Sequence, residues 1–345
     1  MKTSSAEAFT FDDVLILPAP HSRVKSRKEV STAMQCGPFE LRLPIFTASM
    51  AVFDTDYADT GAPNSSFARA VAAAGGVHIQ SRGMPQTSFH SRFQMVSKLA
   101  AEGLPVGIAV GLDEYLEHKA ALMATDGIIV SIDIANGAII EDEDVTDWRN
   151  ERNLLMVGNF GTPRAVQRFG GAAQRLIQKY SVGSGSACTT RGVTGIGSPN
   201  AWLVEQVSGN SDHWLCIDGG IKGTADFCKA VALGADLVMM GRPFSAALET
   251  CSPIIETSAG RFKEYFGMAS ARAKGNTEFI EGAQGRVRFD GETVAQVFKV
   301  FEQALRSAMS YVDALSLDEY RRKAEVIRVT NSTQLENSTR LDAGV

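Results

Sequence analysis

The sequence predicts an α/β fold, a single (β/α)8 TIM barrel with its active-site loops and flap at the C-terminal face of the strands. Three observations carry that expectation. Short apolar runs recur eight times, helix-like segments lie between them, and the two longest interruptions both follow late strands. The expected strands are Pro44–Met50, Gly75–Gln80, Pro105–Gly111, Gly127–Asp133, Leu154–Phe160, Leu176–Gly183, His213–Gly219 and Leu237–Arg242. Most are near-continuous apolar stretches such as Gly127-Ile-Ile-Val-Ser-Ile-Asp133, the pattern of strands buried on both faces. Strands that alternate with helices form a parallel sheet, and eight such units favour a closed barrel over the alternative, an open doubly wound sheet.

Helix-like segments are clearest at Ser66–Ala74 and Lys222–Leu233. A final amphipathic helix, about Glu292–Tyr311, carries Val294, Val297, Phe298, Phe301, Leu305 and Met309 at helical spacing and is expected to close the barrel. Gly192–Asn200 is a glycine-rich loop after the sixth strand. Cys251–Gly291 is a long insertion after the eighth, with a hairpin expected near Phe279–Phe289. Both lie on the side of the barrel where active sites form. Residues 1–330 are read as one catalytic barrel domain and 331–345 as a polar, mobile tail.

Composition narrows the function. A formal net charge of -5 argues against general nucleic-acid or membrane-surface binding, and no apolar run approaches a membrane span. The five cysteines are odd in number and show no CxxC spacing, so reduced thiols in a cytoplasmic protein are expected. The five histidines show no metal-ligand spacing and are read as surface or packing residues. No Walker-type loop appears and no dinucleotide GxGxxG follows the first strand, so a nicotinamide cofactor would need another binding mode.

The strongest motif is Gly183-Ser-Gly-Ser-Ala-Cys-Thr-Thr-Arg-Gly-Val-Thr-Gly-Ile-Gly197, where five glycines surround Cys188 directly after a strand. Glycines let backbone groups approach a ligand closely, cradling a phosphate or directing carbonyls at a cation. A cysteine there, followed by two hydroxyls and Arg191, reads as a nucleophile whose thiolate a nearby cation favours. Next come Cys216-Ile-Asp-Gly-Gly-Ile-Lys222 and Met239-Met-Gly-Arg242, at the ends of the seventh and eighth strands. The carboxylate of Asp218 suits sugar hydroxyls, and loops after these strands commonly form a barrel's phosphate site. Together they favour a ribose phosphate. Ile132-Asp-Ile-Ala-Asn-Gly137 and Gly158-Asn159 suit a second ligand on the same face.

These residues resemble the IMP dehydrogenase/GMP reductase family, over nearly the whole chain. Phe9-Thr-Phe-Asp-Asp-Val-Leu-Ile-Leu-Pro18 looks like its N-terminal signature. Gly183–Gly197, Asp218-Gly-Gly220, Tyr265-Phe-Gly-Met268 and Glu281-Gly282 follow in family order. The resemblance implies a homotetramer that binds a purine nucleotide, in which Cys188 attacks C2 of the ring and a nicotinamide cofactor exchanges hydride there. It implies phosphate contacts from Ser186, Gly220 and Gly241, with Tyr265 nearby, and ribose contacts from Asp218. Met268 and Gly282 would contact the base, and Met50, Gly219, Arg242 and Gly267 would complete the substrate site. It places Thr190 and Glu281 as a proton relay, and a potassium ion on the carbonyls of Gly183, Gly185 and Cys188.

Within the family the chain looks most like a GMP reductase, using NADPH to convert GMP to IMP and ammonia. There is no room for the dehydrogenases' CBS insert of about a hundred residues, a domain's length. The stretch Ala269–Ile280 lacks their Arg-Tyr flap pair. Lys25-Ser-Arg27 resembles the reductase segment that reaches the cofactor's extra phosphate from a neighbouring subunit, so Ser26 and Arg27 join Arg82, Asp133, Ala135, Asn136 and Asn159 as cofactor residues. The alternatives are an IMP dehydrogenase oxidising IMP to XMP with NAD, and the same chemistry on a related purine nucleotide. Departures from the family pattern lie at Ala51-Val-Phe53, Gln80-Ser-Arg-Gly83, Arg242, Glu278 and Ile280, and Asp54–Ser65 looks like an insertion.

Overall fold

The computed structural model describes residues 7–172, 174–330 and 333. Eight parallel strands close into a barrel: β1 (Ile45–Thr47), β2 (Val77–Gln80), β3 (Val106–Val110), β4 (Ile128–Asp133), β5 (Leu154–Phe160), β6 (Ile177–Tyr180), β7 (Trp214–Asp218) and β8 (Leu237–Met240). They are hydrogen-bonded in chain order, and β8 pairs with β1 through Val238–Ile45 and Met240–Thr47 to seal the ring. Each expected run contains one strand. The expected spans overshoot mainly at their C-terminal ends, where the chain leaves the ladder to build the loops of the site.

The barrel interior is packed with side chains. Phe46, Val77, Ile79, Ala109, Ile129, Met156, Ile177, Cys216 and Met239 form one buried cluster, which an N-terminal hairpin (Met34–Cys36 with Phe39–Leu41) joins through Cys36 and Leu41. The turn glycine of that hairpin, Gly37 (φ 55°), lies so close to Leu154 that a Cβ would stand 2.6 Å from its Cδ2. Leu154 opens β5, so the hairpin plugs the N-terminal end of the barrel and leaves the other end for ligands.

Helices cover the outside. Ser66–Ala74 (α1) and Thr224–Ala232 (α2) fall where expected. Val294–Tyr311 (α3) begins with a capping box between Thr293 and Gln296, and its six expected apolar residues are all buried. It packs between α2 and α1, so it closes the helical layer across the seam between last and first strands. Each such side chain contributes on the order of 1.5–3 kcal/mol of burial. Val14–Leu17 pairs antiparallel with Glu325–Arg328, which ties the start of the described chain to its end. The expected tail, 331–345, lies outside the described residues except for Thr333. No described helix is long and apolar enough to cross a membrane.

Two expectations need correction or sharpening. The stretch Phe279–Phe289 is not a hairpin. It supplies one strand, Gln284–Arg288 (β11), which pairs with Gly260–Phe266 (β10), and the hairpin of this region joins Ile254–Thr257 (β9) to β10. The turn forms at Ser258-Ala259, where Gly260 adopts φ 119°, whereas residues before β11 are spent crossing the mouth of the barrel. Of the histidines, His78 and His213 are buried. His78 bonds Thr47 Oγ1 (2.7 Å) and Asp54 Oδ2 (2.9 Å), and Asp54 also accepts from the Ser81 N–H and hydroxyl. This buried network anchors the start of the Asp54–Ser65 segment.

Candidate active site

The C-terminal mouth of the barrel holds a cavity of about 490 Å³ lined from the ends of strands β1 and β4–β8 and from the flap. The glycine loop after β6 gives it one wall. The Cys188 N–H donates to the Gly185 carbonyl (2.9 Å), which curls the chain so that the thiol faces the cavity, half-buried. Cys188 Sγ lies 3.2 Å from Thr190 Oγ1.

The flap is zipped to this loop by backbone pairing. Cys188 and Gly282 form an antiparallel bridge. The Thr189 N–H donates to the Glu281 carbonyl (2.8 Å), and the Ala283 N–H donates to the Ala187 carbonyl (2.8 Å). Glu281 thereby reaches the cavity beside Cys188, although 93 positions separate them in sequence. Close approach at Gly282 is obligatory, because a Cβ there would stand 2.5 Å from the Ser270 nitrogen.

Arg191 takes a different part from the one its sequence position suggests. Its guanidinium turns back along the loop, donating to the Val182 and Ser198 carbonyls and to Ser184 Oγ (2.5 Å). It clamps the two ends of the loop together instead of being committed to the thiol. The clamp also explains two glycines: a Cβ at Gly183 or Gly197 would collide with Arg191 Cγ, at 2.5 and 2.6 Å.

Beside this loop, β7 and β8 end in turns that present backbone and hydroxyl groups to the cavity. Gly219 and Gly220 both have positive φ (71° and 72°), which favours glycine, and a Cβ at Gly219 would stand 3.2 Å from Gly185 Cα, so this turn packs its backbone closely against the glycine loop. Asn200 holds this turn by donating to the Asp218 and Gly219 carbonyls (3.1 and 2.8 Å). Gly241 is pinched between Met50 Sδ and the Tyr265 hydroxyl. The Ser186 and Tyr265 hydroxyls lie 3.4 Å apart, and the Arg242 guanidinium stands 6.0 Å over the Tyr265 ring. Lys222, also on this rim, is paired with Asp12.

The floor carries charge. Asp218 accepts from Asn159 Nδ2 (2.9 Å), and Asp133 accepts from Ser49 Oγ (2.6 Å). Lys179, fully buried on β6, reaches both carboxylates: it hydrogen-bonds Asp133 and lies 3.8 Å from Asp218. Burial pushes the Asp133 carboxyl up, but the Lys179 ammonium beside it, with Ser49, outweighs this and holds it below the ordinary carboxylate range. Burial wins at Asp218, whose carboxyl stands above that range despite the more distant Lys179. The lysine itself is raised, since its two carboxylates outweigh the burial that would lower it.

The comparisons with known proteins agree with this geometry. The model of the IMP dehydrogenase / GMP reductase domain matches residues 8–340. The chain belongs to the IMP dehydrogenase/GMP reductase family. It is 30% identical over 336 residues to a GMP reductase of Staphylococcus carnosus, covering 94% of this chain and 97% of that one. A GMP reductase of Lactobacillus delbrueckii is 30% identical and covers 94% and 96%. That of Bacillus subtilis is 29% identical and covers 94% and 97%. These relatives make the chain an oxidoreductase.

Most of the residues expected from family resemblance converge on the one cavity. Cys188, Glu281, Met50, Ser186, Asp218, Gly219, Gly220, Gly241, Arg242, Tyr265, Gly267, Met268, Gly282, Asp133, Asn159, Gly183 and Gly185 all line it. Thr190 stands behind Cys188. Asn136 lines an adjoining cavity that shares Asn159, and Ala135 is exposed between them. Arg82 is exposed beyond β2, close enough to favour the charged form of Asp133. Ser26 and Arg27 are elsewhere, in a short turn against α3. Sequence reasoning missed Lys179, Ser49 and Asn200. For Lys179 the signal was present: a lysine in the middle of Ile177-Gln-Lys-Tyr180, a strand too short and too central to be exposed.

Proposed function

We propose that the chain catalyses the NADPH-dependent reductive deamination of GMP to IMP and ammonia, through a covalent adduct of Cys188 at purine C2. The observation that carries this reading is the Cys188–Gly282 bridge. With the Cys188–Thr190 contact, it puts a thiol, a hydroxyl and a carboxylate on one side of a cavity whose glycine turns and hydroxyls would suit a phosphate. The GMP reductases among its relatives support the same substrate.

The phosphate sits on the Gly219–Gly220 turn, the Gly241 N–H and the Ser186 and Tyr265 hydroxyls, with Arg242 as the countercharge. Asp218 accepts from the two ribose hydroxyls, and Met50, Gly267, Met268 and Gly282 enclose the base over Cys188. The thiolate adds to C2, forming a C–S bond and making that carbon tetrahedral. Glu281 and Thr190 relay a proton to the amine, which leaves as ammonia because amide ion is too basic to depart. A positioned acid of this kind contributes about 10²–10⁴-fold. The remaining thioimidate accepts hydride at C2, the chemistry that NADPH supplies when bound. The C–S bond then breaks, returning the electron pair to Cys188 and releasing IMP.

Arg82, Asp133, Ala135, Asn136 and Asn159 would hold the cofactor, with Ser26 and Arg27 contributed from a neighbouring subunit of a homotetramer. A potassium ion would sit on the carbonyls of Gly183, Gly185 and Cys188. The Gly185 oxygen already accepts the Cys188 N–H at 2.9 Å, so it offers its second lone pair. Such an ion would stiffen the loop that carries the thiol. Residues 1–330 would act as one cytoplasmic catalytic domain.

Absorbance at 340 nm tests the reading. It should fall with GMP plus NADPH and stay flat with IMP plus NAD. A rise with IMP plus NAD overturns it in favour of a dehydrogenase. A response only to another member of a purine nucleotide panel overturns the choice of base. Tight nucleotide binding with no absorbance change in either direction marks a regulator without catalysis.

A further inference from the structure

Two carboxylates at the floor of the cavity share one ammonium, and only the carboxylates face the ligands. Asp133 ends β4 and Asp218 ends β7. Lys179 projects between them from β6 and does not line the cavity. Gly158 makes the space for it: a Cβ at that position would stand 2.8 Å from Lys179 Cβ and 2.5 Å from its carbonyl oxygen. Ser49 and Asn159 then take one oxygen each of Asp133 and Asp218.

Burying three charges is costly, and an apolar side chain of similar volume is often no less stable at such a place. A cluster like this is explained better by what its charges do. Both carboxylates line the one cavity, Asp218 at the Gly219–Gly220 turn and Asp133 beside Ser49, and Asn159, which donates to Asp218, is shared with the adjoining cavity. Lys179 opposes both the burial of Asp218 and the repulsion from Asp133, each of which raises the Asp218 carboxyl, so without the lysine that carboxyl would hold its proton more tightly. A protonated Asp218 is a poor acceptor for sugar hydroxyls.

We propose that Lys179 is a positioning residue serving both ligands: one buried ammonium keeps Asp218 ionised for the nucleotide's hydroxyls and fixes Asp133 toward the second ligand. The proposal rests on the nucleotide reading above. It predicts that the two subsites are coupled through this nitrogen, so that a change at Asp133 alters the state of Asp218 without touching the nucleotide.

Calorimetric titration with GMP and with IMP, at pH 6.5 and 8.5, tests it on wild type, Lys179→Met and Lys179→Arg. The quantity read is the affinity of each variant relative to wild type at the same pH, which cancels the titration of the nucleotide's own phosphate. Lys179→Met should bind several-fold more weakly than wild type at pH 6.5 and recover toward wild type at pH 8.5, as a carboxyl that has lost its ammonium ionises again. Lys179→Arg should stay near wild type at both. Equal weakening at both pH values, or none, overturns the proposal, since lost packing alone carries no pH dependence. If Lys179→Met does not fold, Asp133→Asn decides. It leaves the lysine to Asp218 alone, so it should keep or tighten GMP binding at pH 6.5 while raising the KM for NADPH. Weaker GMP binding by Asp133→Asn overturns the proposal. A wild-type chain that binds neither nucleotide overturns the functional reading itself, and the coupling falls with it.

Discussion

Cys188 Sγ and Thr190 Oγ1 are 3.2 Å apart, and the backbone bridge from Cys188 to Gly282 brings Glu281 to the same wall of the cavity. The thiol is placed by backbone geometry, from the Gly185–Cys188 turn on one side and the flap on the other. Removing its sulfur therefore leaves the pocket standing. Cys188→Ala should abolish turnover in the 340 nm assay while calorimetry still records GMP binding close to that of wild type. Normal turnover in this variant would falsify the covalent mechanism.

Thr190 and Glu281 are assigned to proton delivery and not to holding the nucleotide. Thr190→Val and Glu281→Gln should each lower kcat by about 10²–10⁴-fold with little change in KM for GMP. Because the two act as one relay, the double variant should be scarcely slower than the worse single one. Losses that multiply, or that appear in KM, would remove the relay.

Much of this site could be read from the chain because its parts sit on rigid strand ends in a fixed order. Eight apolar runs specify eight barrel strands, and a glycine loop at the end of one of them marks Cys188. The parts that could not be read depend on contacts with no local signature. Gln284–Arg288 looks like half of a local hairpin, yet it pairs with Gly260–Phe266, a choice set by tertiary register. Arg191 reads as the cation beside a thiol, and only the folded loop shows it engaged by Val182, Ser184 and Ser198. Lys179 is legible only once both carboxylates are seen to converge on it.

The phosphate end depends on backbone conformation. Gly220 has φ 72°, and a Cβ there would press on Asn200 Nδ2 and Ser184 Cβ, both at 3.3 Å. The left-handed conformation costs a side chain about 1–2 kcal/mol. Gly220→Ala should lower the melting temperature modestly and raise the KM for GMP, with a smaller effect on NADPH. An unchanged KM for GMP would mean that this turn does not hold the phosphate.

Lys263 offers a test of stability that is independent of catalysis. Its ammonium is buried on the central flap strand, donating to the Ala247 and Leu248 carbonyls and to Thr250 Oγ1 at 2.7, 3.1 and 2.8 Å. It makes no ion pair among the described residues. Burial lowers its pKa from 10.5 to about 8. A lysine depressed in the folded state binds its proton more weakly there than in the unfolded chain. The penalty is thus complete below about pH 8 and is relieved as pH rises toward 10.5. Its full size corresponds to roughly 3 kcal/mol. Denaturant unfolding of wild type and Lys263→Met at pH 7.5 and pH 10 should show the wild type gaining stability relative to the variant as pH rises. A difference that stays flat, or shrinks, would mean that the ammonium's four hydrogen bonds, the fourth to the Thr250 carbonyl, fully offset its burial.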